Sequence, residues 1–219
     1  MDDLFDAELA AAEQATARDA AATKIRQKTA AIVRKQTRLQ LRRATSEATL
    51  AQVLPSPIQP GTSCHIISAG DVDALSFIAH VARQHTRLDE LLVSTWCLAL
   101  PDVQWLADQQ KARRIGRLRF YCGEILRATY PDTYDAICHL ESAGKATLAI
   151  SRNHAKISLI KAGKARYTIE SSANMNTNPR IEQTAIHTDP ALHAFYDEFF
   201  TAIRCIDAKT RHQEQAARQ

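Results

Sequence analysis

Residues 146–174 have the sequence ATLAISRNHAKISLIKAGKARYTIESSAN, and this stretch decides how the second half of the chain folds. Its apolar segments are short and separated by polar residues, a pattern typical of β-strands. We predict three strands here: Ala146–Ser151, Lys156–Lys161 and Ala165–Glu170. The last two are joined by Ala162, Gly163 and Lys164, which indicates a β-hairpin.

Outside this stretch, short apolar segments alternate with amphipathic ones. Further strands are predicted at Cys64–Ser68, Leu91–Leu98, Leu118–Cys122 and Ile181–His187. Helices are predicted at Asp71–Gln84 with Asp71 as its cap, Pro101–Arg114, Pro131–Ser142 and Pro190 to about Ala208. Repeated strand and helix units favour an α/β fold with a largely parallel sheet that is covered by helices on both faces.

The first 53 residues have a different composition. Residues 2–52 contain no Gly or Pro and predict a helical arm. From Lys24 to Arg43 there is no acidic residue, which makes the basic side chains candidate nucleic-acid contacts. These are Lys24, Arg26, Lys28, Arg34, Lys35, Arg38, Arg42 and Arg43. There are two alternatives. The arm could be a solvated helix packed on its own domain, or a dimerising helix, for which apolar residues seven positions apart give a weak coiled-coil pattern.

Prolines and Gly61 predict a linker over residues 54–63, followed by a domain over 64–208 and a polar tail over 209–219. A chain of 219 residues with 45% hydrophobic and 24% charged residues has the composition of a soluble globular protein. No apolar segment approaches the roughly 20 residues of a membrane span, and the acidic start does not resemble a signal peptide. We expect a cytoplasmic protein without a membrane partner. The five cysteines are widely spaced and predict reduced core residues.

Polar residues flank the predicted hairpin on both sides. His154 and Lys156 are two positions apart at the start of a strand, so their side chains leave the same face. The hairpin brings Ser171, Ser172 and Asn174 back beside them. The sequence therefore predicts that these side chains converge on one anion.

Together, the HxK of His154 and Lys156 and the Ser171-Ser172-Ala173-Asn174 segment resemble the HxK and GSxN signature of the phospholipase D superfamily. In that family, HxK is followed after four residues by Asp and after six more by GSxN, often with a downstream Asn or Glu. Glu182 suits this last place. The resemblance covers roughly residues 64–208 and implies a phospholipase D-like α/β domain of mixed, largely parallel sheet.

The resemblance also implies roles for the individual side chains. His154 would be the nucleophile that forms a phosphohistidine, while Lys156 and Asn174 would hold the nonbridging oxygens. Ser172 would add a hydroxyl donor. Glu182 would accept the other imidazole N–H and fix the tautomer. No metal or other cofactor is required.

The sequence departs from the family pattern at three points. Lys161 occupies the place of the Asp, Ser171 replaces the glycine, and the hairpin is three residues longer. The chain also has a single HxK, whereas the family mechanism uses two histidines, so the resemblance implies a twofold homodimer.

These features leave three hypotheses for function. The first is a metal-independent phosphodiesterase, a nuclease acting on DNA or RNA. The second is a weak or inactive member that only binds nucleic acid, for which Lys161 and Ser171 speak. The third is a lipid phosphodiesterase.

Overall fold

The computed structural model describes residues 41–176 and 179–203. The chain divides into two compact units, Met1–Ala44 and Thr45–Gln219. Most of the predicted arm, with its basic residues from Lys24 to Arg38, lies outside the described residues, as does the predicted polar tail. The fold and site described below belong to the second unit.

Residues 41–53 are helical, and we call the part that belongs to the second unit, residues 45–53, α1. The strands are β1 (Ser63–Ser68), β2 (Leu88–Thr95), β3 (Ile115–Gly123), β4 (Ala146–Ser151), β5 (Ile157–Ala162), β6 (Ala165–Ser171) and β7 (Glu182–His187). The remaining helices are α2 (Ala74–Arg83), α3 (Leu100–Lys111), α4 (Ile125–Thr129), α5 (Pro131–Ser142) and α6 (Pro190–Ala202).

The seven strands form one mixed sheet in the order β1-β7-β6-β5-β2-β3-β4. The predicted parallel character holds only for β2, β3 and β4, whereas all other neighbours are antiparallel. The reason lies in the connections. Helices α3 to α5 carry the chain back between β2, β3 and β4, but β4 to β7 follow one another without an intervening helix.

This topology gathers strand ends along one side of the sheet, which we call the site edge. The register pairs show that β1, β2, β3, β4 and β6 end there, and that β5 and β7 begin there. The site edge is therefore defined by the terminal residues Ser68, Thr95, Gly123, Ser151, Ile157, Ser171 and Glu182. Turns that follow these residues can place side chains from distant parts of the sequence next to each other.

Helices cover both faces of the sheet, as predicted. The main core contains apolar side chains of α2, α3, α4 and α5. On the opposite face, Phe200 of α6 packs with Leu92, Tyr121 and Leu159. Because β-strand side chains alternate in direction, Leu92 faces α6 while its neighbour Leu91 belongs to the main core.

The compact unit includes residues that the sequence analysis assigned to the arm and the linker. Leu50, Leu54 and Ile58 are buried in the main core. The Ser46 hydroxyl donates to the Asp71 carbonyl at 2.7 Å, which fastens α1 to the loop before α2. Apolar contacts formed in three dimensions thus extend this unit to Thr45.

Several element ends differ from the prediction. Helix α2 is capped by Asp73 rather than Asp71, because the Asp73 carboxylate accepts from the Ser76 amide at 2.9 Å. Strand β2 ends at Thr95 instead of Leu98. None of the described helices is long and apolar enough to cross a membrane.

Candidate active site

His154 lies in the turn between β4 and β5, with its side chain exposed at the site edge. Buried Asn153 fixes this turn. Its Nδ2 donates to the Tyr121 carbonyl at 2.8 Å and to Ser94 Oγ at 3.0 Å, and its Oδ1 accepts from the Ala155 amide at 3.0 Å. Because these bonds are anchored on the ends of two strands, they determine where His154 lies.

Lys156 contacts His154, as the spacing predicts. Its Nζ lies 2.9 Å from Nδ1 and 3.3 Å from Nε2 of the imidazole, and it donates to the His154 carbonyl at 2.7 Å. An ammonium group can only donate, so a ring nitrogen of His154 accepts in this contact. Burial lowers the pKa of Lys156, and the neighbouring Cys97 and Glu182 oppose this shift. The cation is therefore partly desolvated and close to the Glu182 carboxylate.

Ser172 and Glu182 meet where β6 ends and β7 begins. The Ser172 hydroxyl donates to Glu182 Oε2. It also accepts from the Gln183 amide at 2.9 Å, and the Ser172 amide donates to the Gln183 carbonyl at 2.9 Å. These backbone bonds hold Ser172 at the site edge. The Glu182 carboxylate thus engages Ser172, and its predicted role in orienting His154 stays a prediction.

Asn174 lies beside the end of β2, with Oδ1 at 3.4 Å from Thr95 Oγ1. Ser171, in the place of the family glycine, accepts from the Ala173 amide through its Oγ at 3.1 Å. Among the described non-glycine residues only Arg113 has a positive φ, so the backbone at Ser171 is one that a side chain tolerates. The exchange of Gly for Ser therefore fits this turn without backbone strain.

Lys161 lies at the other end of β5 from His154. Lys161 is five residues from Lys156, and five residues of extended strand correspond to roughly 17 Å. Its Nζ contacts Asp197 Oδ2 at 2.7 Å and Glu90 Oε1 at 3.1 Å. Burial alone would lower the pKa of Lys161, but the two carboxylates outweigh it and raise the pKa. The charge of Lys161 is therefore compensated away from the site edge.

Trp96 is an aromatic neighbour of His154 that the sequence patterns do not predict. The rings of Trp96 and His154 have centroids 5.5 Å apart at an angle of 48°. The sequence predicts that Trp96 lies within a strand, whereas β2 ends one residue before it. The sequence does carry one signal for Trp96 as a site residue. It lies near the carboxyl end of a parallel strand, where ligand sites of α/β sheets are found.

The structure describes only some of the basic residues that are predicted to contact nucleic acid. Arg42 and Arg43 are helical, and the remaining six basic candidates of the arm lie outside the described residues. Within the described ranges, no group of three or more His, Cys, Asp or Glu side chains is arranged to hold a metal ion.

No protein-family model and no curated protein matches this chain. Among solved structures it is similar to polyphosphate kinase from Porphyromonas gingivalis, with 14% identity, a TM-score of 0.45, and coverage of 63% of this chain and 25% of that one. Phosphatidylserine synthase from Haemophilus influenzae has 13% identity, a TM-score of 0.45 and coverage of 64% and 38%. The archaeal chromatin protein TrmBL2 has 12% identity, a TM-score of 0.43 and coverage of 81% and 63%.

The chain thus spans 25 to 63% of the length of these structures. With TM-scores below 0.5, the likenesses carry no conclusion about activity or residue roles.

Proposed function

We propose that this chain is a metal-independent phosphodiesterase that cleaves nucleic acid through a phosphohistidine intermediate on His154. The observation that carries the proposal is the contact of Lys156 Nζ with the His154 imidazole at 2.9 Å. A nucleophile and a cation thereby share one exposed position. Ser172 and Glu182 add a hydroxyl and a carboxylate along the same site edge.

A phosphodiester carries one negative charge and gains more charge on its oxygens during attack. The Lys156 ammonium and the Asn174 side-chain amide are the donors for these oxygens, and the Ser172 hydroxyl becomes a third when it turns from Glu182 to the phosphate. A ring nitrogen of His154 attacks phosphorus, so that a P–N bond forms and the P–O bond to the leaving group breaks. Water then attacks phosphorus, the P–N bond breaks, and His154 is regenerated.

The leaving oxygen must take a proton, and hydrolysis of the intermediate must return one. The chain has no second HxK, so we assign this role to His154 of a second subunit. A twofold homodimer places the two imidazoles across one phosphorus and lets each residue play either role. Sedimentation at micromolar concentration should show a dimer; a fully active monomer would contradict this arrangement.

The arm provides the reason to propose nucleic acid as the substrate. Eight Lys or Arg residues without an acid between Lys24 and Arg43 match a polyanion and would bind phosphates without reading bases. Replacing these eight residues by Gln should reduce the dependence of binding on salt, with roughly 0.9 units of log–log slope lost per phosphate contact. An unchanged slope would assign the arm to packing or assembly instead.

The decisive experiment is incubation of the purified chain with labelled single- and double-stranded DNA and RNA in excess EDTA. Cleavage that His154→Ala abolishes is the expected result. Binding without cleavage would establish the alternative of an inactive nucleic-acid-binding member. Cleavage of phosphatidylcholine vesicles in a parallel arm, with nucleic acid intact, would establish a lipid phosphodiesterase.

A further inference from the structure

We propose that Trp96 forms a stacking subsite for an unpaired nucleobase beside the phosphate bound at His154. The substrate of this site is then single-stranded nucleic acid, or a duplex with unpaired nucleotides. The inference rests on the proposed function only in placing a phosphate group at His154.

Trp96 is the first residue after β2 and lies at the site edge. Its carbonyl accepts from the Gly123 amide at 3.2 Å, which fixes the Trp96 backbone to the end of β3. The indole is partly exposed and its centroid lies 5.5 Å from that of the exposed His154 ring. An aromatic surface therefore borders the position of the proposed nucleophile.

Gly123 makes room for this arrangement. A Cβ at residue 123 would lie 2.5 Å from Trp96 Cδ1, 2.7 Å from the Trp96 carbonyl oxygen and 3.0 Å from the Asn153 carbonyl oxygen. The first two distances are shorter than real Cβ contacts. Only glycine lets the indole pack against the end of β3, and the same residue borders the turn that carries His154.

A nucleotide suits this surface because it joins a phosphate to a flat ring. Base stacking on an aromatic side chain is tolerant of sequence, since every base has a π-face. In a duplex both faces of a base are covered by its neighbours, so a base must be unpaired or extruded before an indole can stack on it. The position of Trp96 therefore favours single strands over duplex.

The fluorescence of Trp96 reports this contact directly. The chain has two tryptophans, so Trp105→Phe leaves Trp96 as the only one. Combined with His154→Asn to prevent turnover, this protein is titrated at one ionic strength with oligo-dT, oligo-U, an abasic oligonucleotide of equal length and a blunt duplex. We expect quenching by oligo-dT and oligo-U, and little by the abasic strand or the duplex. Equal quenching by the abasic strand or by the duplex would overturn the proposal.

Substitutions separate stacking from packing. Trp96→Leu fills part of the same volume without an aromatic face, and it should weaken binding of oligo-dT about tenfold to a hundredfold. Trp96→Phe should have a smaller effect, and the affinity for the abasic strand should not change. An equal loss for both strands, or no loss for either, would show that Trp96 only packs against its neighbours. Thermal melting of each variant controls for folding, and if Trp96→Leu does not fold, the quenching titration decides.

This outcome is separable from that of the proposed function. Quenching by single strands without cleavage by the wild-type chain would remove the phosphodiesterase and leave the stacking subsite. Cleavage without base-dependent quenching would support the phosphodiesterase and remove the stacking subsite.

Discussion

Two lysines at opposite ends of strand β5 have opposite environments. Lys156, just before the strand, contacts the imidazole and carbonyl of His154, and burial lowers its pKa. Lys161, near the end of the strand, is ion-paired with Glu90 and Asp197, which raise its pKa. The Lys156 ammonium hydrogen-bonds to the His154 ring and carbonyl, and the charge of Glu182 opposes the effect of burial without outweighing it.

The difference separates a binding role from a structural one. A partly desolvated ammonium gains from the arrival of an anion, because the anion restores the stabilisation lost with water. The ammonium of Lys161 already has two carboxylates. With Arg119, which contacts Asp197 Oδ1 at 2.5 Å, it fastens helix α6 to the sheet. We therefore expect Lys161 to contribute to stability rather than to act as an additional site for a polyanion.

The largest expected effect is on His154, at the Lys156 end of the strand. His154→Ala removes the proposed nucleophile and the proton donor of the second subunit, so turnover should vanish while phosphate binding by Lys156 persists. Mixing His154→Ala with wild-type subunits should give heterodimers that lack nearly all activity. Cleavage that persists in pure His154→Ala protein, freed of contaminating nuclease, would be incompatible with the mechanism.

The comparison itself is tested by a matched pair of variants, Lys156→Met and Lys161→Met. Lys156→Met should lower kcat/KM roughly a hundredfold to a thousandfold, the effect of losing one donor to a charged transition state. Lys161→Met should leave kcat/KM unchanged but lower the free energy of unfolding by about 1.5 to 3 kcal/mol, the range for hydrogen bonds to charged groups. Urea denaturation and steady-state kinetics on both proteins measure the two effects. The reverse pattern would exchange the roles assigned to the two lysines.

A smaller loss of activity is expected for Glu182→Gln. The change removes a negative charge near Lys156 but keeps an acceptor for the Ser172 hydroxyl, so activity should fall on the order of tenfold to a thousandfold. Glu170→Gln is a control on the neighbouring strand β6, where the carboxylate contacts Tyr196 and His187 instead. Equal losses in the two variants would indicate a general effect of charge on the sheet.

A further prediction concerns acid stability at the Lys161 end of the sheet. His193 on α6 is buried, and its pKa is lowered to about 4, chiefly by burial and also by Lys161 and Arg166, while Asp197 and Glu90 oppose the shift. Because the unfolded chain takes up this proton near pH 6.5, stability is full above that pH and declines as the pH falls toward 4.

The decline should amount to roughly 2 to 3 kcal/mol at pH 4.5. His193→Leu should flatten the stability between pH 6.5 and 4 in urea denaturation, with His154→Ala, on an exposed histidine, as the control. A decline of the same size in His193→Leu would place the acid sensitivity in other groups.

Local patterns were enough to predict much of the fold. Strand Ala146–Ser151 and helix Pro131–Ser142 were predicted with the bounds that the structure shows, since alternation and an initial proline act within a few residues. The spacing of His154 and Lys156 also predicted their contact, because two positions along an extended chain share a face. The sheet order was less accessible, since the pairing of β5 with β2 joins residues more than 60 positions apart.

The sequence by itself thus determined the alternating α/β elements, the hairpin and the neighbourhood of His154 and Lys156. Tertiary structure alone decided that Lys161 is neutralised by Glu90 and Asp197, and that Trp96 lies against His154. The physical reason is the distance along the chain over which each effect acts. Propensity and periodicity are set by neighbouring residues, whereas the partner of a charge or an aromatic ring depends on which distant strand ends meet at one edge of the sheet.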